Sequence, residues 1–191
     1  MNDSLKKITE ILAFFEIWQY PLAKAEIEQF LGQEISEEIL QENFFSVDSK
    51  FFSTHQNIEI LKKRREEAEQ YTIKIRKKAE IFVRILRHIP FLRAIALCNS
   101  GAMRCASSDS DIDFFLITKN NRIWTARFWS TIFFHFLGLR AKKSNTAGKF
   151  CLSFFVDESF SDFQQIRKID DIYLPFWILT LRPYFGRKYI E

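Results

Sequence analysis

The spacing of apolar positions changes period several times along this chain, and each change marks a predicted element. Leu5, Ile8, Ile11, Leu12 and Phe15 recur at helical spacing. Pro21 suits the first turn of a second helix carrying Leu22, Ile27, Phe30 and Leu31, which Gly32 can stop. Ser36 can cap a short third helix running through Leu40. In FFSVDSKFFS the aromatics bracket a polar Asp48-Ser49 turn, which predicts a hairpin. From Asn57 to His88 one stripe, including Leu61, Ala68, Ile75, Ala79, Phe82 and Leu86, predicts a single long helix that Pro90 ends. A strand follows over Leu92–Cys98, then a polar segment over Asn99–Asp109 and a second strand over Asp111–Thr118. An aromatic helix from about Arg122 to Leu139, a basic loop RAKKSNTAGK, a third strand over Phe150–Val156 and two helical pieces complete the reading.

Composition narrows the class. The chain has 191 residues, 47% of them apolar, with 22 phenylalanines, so it can bury a sizeable aromatic core. A net charge of +4 admits anionic partners without requiring them. Cys98, Cys105 and Cys151 form no CxxC pair and only three histidines accompany them, which speaks against a zinc site and for reduced thiols in the cytoplasm. The opening MNDSLKKITEILAFFEIWQY contains acids and lacks a small-residue cleavage site, so no signal peptide is expected. Phe128–Leu139 and Tyr173–Leu181 fall short of the roughly 20 apolar residues that a membrane span needs. The chemistry is concentrated elsewhere. In ALCNSGAMRCASSDSDIDFFLIT, Asp111 and Asp113 flank one isoleucine. Residues i and i+2 of a strand share a face, so the two carboxylates would lie side by side, where they repel unless a cation compensates. Such a pair can chelate hard divalent cations. The DxD spacing also occurs in phosphatases and glycosyltransferases, but there the apolar strand precedes the acids, whereas here FFLIT follows them.

Ser100 lies eleven residues upstream, just after a predicted strand, at a turn whose hydroxyl and backbone N–H groups can hold a phosphate. With that spacing, NSGAMRCASSDSDIDFFLIT resembles the motif of the DNA polymerase beta-like nucleotidyltransferase superfamily, especially its minimal bacterial members with Ser-Asp-Ile-Asp. The resemblance covers about residues 91–156. It implies Mg²⁺, two ions, held by Asp111 and Asp113, with nucleotide phosphates near Ser100, Gly101 and Arg104. It further implies transfer of a nucleoside monophosphate from a nucleoside triphosphate to a hydroxyl acceptor whose identity the sequence leaves open. Lys142, Lys143 and Lys149 are additional candidates for neutralising phosphate, each with an ordinary surface role as the alternative. The sequence departs from the motif in three places. Asn99 and Arg104 replace two glycines, and the third strand, with Cys151 and Ser153 on one face, holds no acid where the family carries a third carboxylate, leaving Asp157 at its end as the candidate for that role or for a helix cap.

The order of the first elements resembles a winged helix-turn-helix, but its third helix, QEISEEILQE, brings Glu34, Glu37, Glu38 and Glu42 and no base toward any DNA phosphate. The expected fold is therefore α+β. A winged-helix-like module over 1–56 precedes a connecting helix over 57–90, a nucleotidyltransferase core with a small mixed sheet over 91–160, and a C-terminal helical segment over 161–191. The apolar content of that last segment predicts further chain beyond Glu191, and an apolar surface for a homo-oligomer or protein partner. Two other readings stay open: a catalytically silent fold that binds nucleotide or a partner, and a nucleic-acid regulator that uses the basic run Lys62–Arg65, for which a solvated helix face is the plainer explanation.

Overall fold

Helical spacing at the front of the chain folds as α1 (Asp3–Glu16), which buries Ile8, Ile11, Leu12, Phe14 and Phe15. The structure, a computed structural model, describes residues 3–141, 146–160, 168, 171 and 173–190. Lys142, Lys143 and the helix expected near Ser161 lie outside the described residues. Two compact units emerge, Met1–Glu69 with Asp170–Leu179, and Gln70–Ile169 with Thr180–Glu191.

In the first unit, Pro21 does not open a helix. Leu22 and Ala23 form β1 (Leu22–Ala23), and α2 (Lys24–Leu31) begins after it. Extended backbone wins here because β1 pairs with a strand further on, and because Arg65 donates to the Pro21 carbonyl at 2.6 Å. Glu26 then accepts the Ala23 N–H at 2.8 Å, satisfying one donor at the helix start. Gly32, in the left-handed region at φ 76°, closes α2 by donating to the Glu28 carbonyl. Ser36 caps α3 (Glu37–Asn43) by accepting the Ile39 N–H. Strands β2 (Phe45–Val47) and β3 (Phe51–Ser53) form the expected antiparallel hairpin. Asp48 and Ser49 are both left-handed, the backbone a tight hairpin turn requires. The sheet order is β1-β3-β2. The long helix α4 (Ile58–Leu86) follows. Its basic run is not wholly a solvated face. Arg65 is buried, forms a two-pronged pair with Glu26 at 2.7 and 3.0 Å, and lies over the Tyr20 and Phe51 rings.

The second unit is built on β4 (Leu92–Leu97), α5 (Asn99–Met103), β5 (Ile112–Thr118), α6 (Ile123–Phe136) and β6 (Phe150–Asp157). Between them, α6 forms the crossover that parallel pairing of β5 with β6 demands. The chain next contributes α7 (Tyr173–Thr180), whose Phe176 ring sits 4.8 Å from that of Phe14 in the first unit's core. The segment expected to stay helical to its end does not. Arg182–Phe185 form β7, antiparallel to β4, followed by a short 3-10 turn over Arg187–Tyr189. An edge open on β4 supplies the pairing that no local pattern in RPYF announces. The sheet order is β6-β5-β4-β7. Phe150 anchors the core beneath it: its ring stacks on Phe134 at 4.5 Å and Phe114 at 5.5 Å and meets Phe82 at 4.7 Å. Burying each such ring contributes about 1.5–3 kcal/mol. No described helix is long and apolar enough to cross a membrane.

Candidate metal centre

Strand alternation decides where the acids point. Ile112, Phe114 and Leu116 join the core with Phe150, so Asp111 and Asp113 take the opposite parity. Parallel register then sets Asp113 beside Cys151 on β6. The ligand atoms of Asp111, Asp113 and Cys151 all lie within 4.8 Å of one another. Two carboxylates that close suit a hard divalent cation, while the thiol widens the set toward softer ions such as Zn²⁺. The protein alone pays an electrostatic cost for this arrangement. Burial, and next the neighbouring Asp113 charge, push the Asp111 carboxyl up to about 6 from the ordinary 3.8. A bound cation would reverse both effects.

The turn before the acids is shaped by two residues that are not glycine. Asn99 (φ 52°) opens α5 and Arg104 (φ 66°) closes it, each in the left-handed region that glycine prefers. Left-handed backbone at both ends of the turn is thus held by non-glycine residues. Asn99 also reaches the acids: its Nδ2 donates to Asp113 Oδ2 at 2.9 Å. Ser100 occupies the first turn of α5, half-buried, with its carbonyl accepting the N–H groups of Arg104 and Cys105. Gly101 serves packing. A Cβ there would sit 3.1 Å from both Ile75 and Leu97 side-chain carbons, and its carbonyl accepts from Arg76 Nε at 3.0 Å. Arg76 Nη2 also holds the Ala102 carbonyl, fixing the turn to α4.

Asp157 is not brought to the pair. It faces Thr118 in the register, six residues along β6 from Cys151, or about 20 Å at the usual strand rise. There its carboxylate accepts from the Ser159 hydroxyl and from the backbone of Ser159 and Asn121, which hold its pKa below the ordinary value. It caps a turn, though the helix expected near Ser161 lies outside the described residues. Lys149 donates to the Gly138 carbonyl at 2.8 Å. The residues that sequence reasoning missed are Cys151 as the third member of the cluster and Asn99 as the partner of Asp113. Each follows only from register and turn geometry; the parity of Cys151 in its strand was the available signal. Burial disfavours the thiolate form of the other two cysteines, pushing Cys98 up strongly and Cys105 up to about 12.

No protein-family model matches this chain, and no curated protein or solved structure matches it either.

Proposed function

We propose that the second unit is a nucleotidyltransferase domain that transfers a nucleoside monophosphate from a nucleoside triphosphate to a hydroxyl acceptor, and that the first unit is a winged-helix-like module. The observation that carries this reading is the convergence of Asp111 and Asp113 at the start of a core strand, behind a Ser100 turn whose flanking residues keep glycine-like backbone. Asp111 and Asp113 would hold Mg²⁺. When bound, the metal neutralises triphosphate charge and eases deprotonation of the acceptor hydroxyl. Asn99 fixes one oxygen of Asp113 and leaves the other lone pairs available as ligands. Ser100 follows Asn99, which is hydrogen-bonded to Asp113, and with the α5 turn it would receive phosphate. The first unit's acidic α3 does not favour DNA, so that module serves packing or partner contact.

One observation favours a second reading, a catalytically silent domain that binds nucleotide. Cys151 stands beside the acids where a third carboxylate would assist the acceptor. Calorimetric titration with ATP, GTP, CTP and UTP, with Mg²⁺ and with chelator, tests both. Metal-dependent binding lost in Asp111→Asn supports the site, and release of pyrophosphate with an acceptor pool separates transfer from silent binding. Absence of nucleotide binding under every condition refutes both readings.

A further inference from the structure

Lys74 and Lys78 stand one turn apart on α4, at i and i+4, where like charges repel. Neither enters an ion pair among the described residues. Lys78 Nζ donates to the Gly148 carbonyl at 2.6 Å, and Lys74 Nζ lies 5.2 Å over the Tyr71 ring. Burial, and next the charge of Lys149, hold the Lys78 pKa below its ordinary value. Two ammonium groups are thus left short of a counter-charge.

Both lysines line one cavity of about 150 Å³, together with Ser107, Ser108, Ser110 and Ile112. No carboxylate among the described residues lines it, and Asp109, within the serine turn, accepts from the Ser108 hydroxyl. Hydrogen bonds fix the walls. Thr72 Oγ1 accepts the Ala106 N–H at 3.4 Å, and the Gly148 N–H donates to the Ser110 carbonyl at 2.8 Å. The Ser107 N–H donates to Ser110 Oγ at 2.9 Å. The Ser107 and Ser110 hydroxyls lie 3.2 Å apart, so one hydrogen bridges them and the other is left to donate. All these residues belong to the second unit. Ile112 joins the core while Asp111 and Asp113 take the opposite parity, so the cavity lies across β5 from the metal cluster. Its size is well below the roughly 300–1,000 Å³ of ordinary small-molecule pockets, which suits one compact anion rather than a whole nucleotide. Two ammonium groups and a free hydroxyl donor, with no acid opposing them, match a tetrahedral oxyanion.

We propose that this cavity is a second anion site, separate from the metal cluster, that takes the phosphoryl group of free phosphate or of a small phosphate monoester. It does not rest on the nucleotide reading. Calorimetric titration of the full chain with inorganic phosphate, in chelator and at constant ionic strength, tests it. One saturable site should appear, and Lys74→Met should weaken it about tenfold or more, the usual effect of losing a charged hydrogen bond. Lys78→Met should do the same. Because Lys78 also holds Gly148, Lys74→Met, at an exposed position with only a ring contact, is the variant that keeps its fold. Lys63→Met, an exposed lysine nearer the start of the same helix, should leave binding unchanged. Glycerol phosphate that competes with equal strength assigns the site to an ester, and its exclusion assigns it to the free ion. Absence of saturable binding overturns the proposal, as does equal affinity in both cavity variants. Binding that appears only with Mg²⁺ and vanishes in Asp111→Asn also overturns it, since the phosphate would then sit at the metal cluster.

Discussion

Replacing Asp111 by Asn should stabilise the protein in the absence of metal while abolishing its response to metal. Burial and the Asp113 charge raise the proton affinity of the Asp111 carboxyl, to about 6 from 3.8. At face value that difference sets an upper limit of about 3 kcal/mol against the ionised form at neutral pH. Asp111 is only partly buried, so solvent screening reduces the figure, and about 1 kcal/mol is a fair expectation. The sign follows from proton linkage. The folded state binds the Asp111 proton more tightly than the unfolded state, so wild-type stability declines as pH rises from about 4 to about 6. The Asn variant lacks this decline. The two proteins should therefore match at pH 4, and the variant should lead by about 1 kcal/mol at pH 8. Urea unfolding at a series of pH values with chelator measures this, and the same curves with Mg²⁺ or Mn²⁺ should rise for the wild type alone. A variant less stable than wild type at pH 8, or a gain independent of pH, would refute the account of why these acids lie together.

Further expectations follow from the same geometry. Metal affinity of the wild type, followed by calorimetry, should weaken as pH falls below about 6, because ligation requires both carboxylates ionised. Cys151→Asp should tighten Mg²⁺ binding and raise nucleotidyl transfer if the thiol is what limits the site; unchanged affinity would exclude this position from the cluster. Asp157→Asn should leave metal binding unaltered, since that residue caps a turn at the far end of β6. Gly186→Ala should unfold the second unit's edge, at a cost above about 3 kcal/mol in urea titration, because its φ is +65° and the new Cβ would lie 1.9 Å from the Arg93 carbonyl. Arg65→Ala should cost about 3 kcal/mol by leaving Glu26 without its buried partner.

Much of the site was legible in the chain. The pairing of Asp111 and Asp113 on one face follows from the two-residue period of a strand, and their place ahead of FFLIT from the apolar run itself. The long helix, the hairpin at Asp48-Ser49 and the stops at Gly32 and Pro90 were equally local, since each depends on neighbours within a few residues. Other features depended on partners remote in sequence. Pro21 and Leu22 read as helix until β3 claims Leu22 and Ala23 as a strand. RPYF carries no period of its own and becomes β7 only because β4 leaves an edge open. Arg65 looks like one more surface cation, yet Glu26 and two aromatic rings draw it inside.

The third member of the metal cluster shows the same division. Parity placed Cys151 on one face of its strand, but a slip of one residue between β5 and β6 would have faced Asp113 with a different residue. That register is set by Phe150 settling between Phe134 and Phe114, a packing event among residues drawn from a helix and two strands. The sequence alone thus determined which elements form and which carboxylates are neighbours, because backbone periodicity is local. Only the tertiary structure decided that Cys151 and Asn99 complete the group and that Asp157 does not, because side-by-side strands are positioned by the core they share.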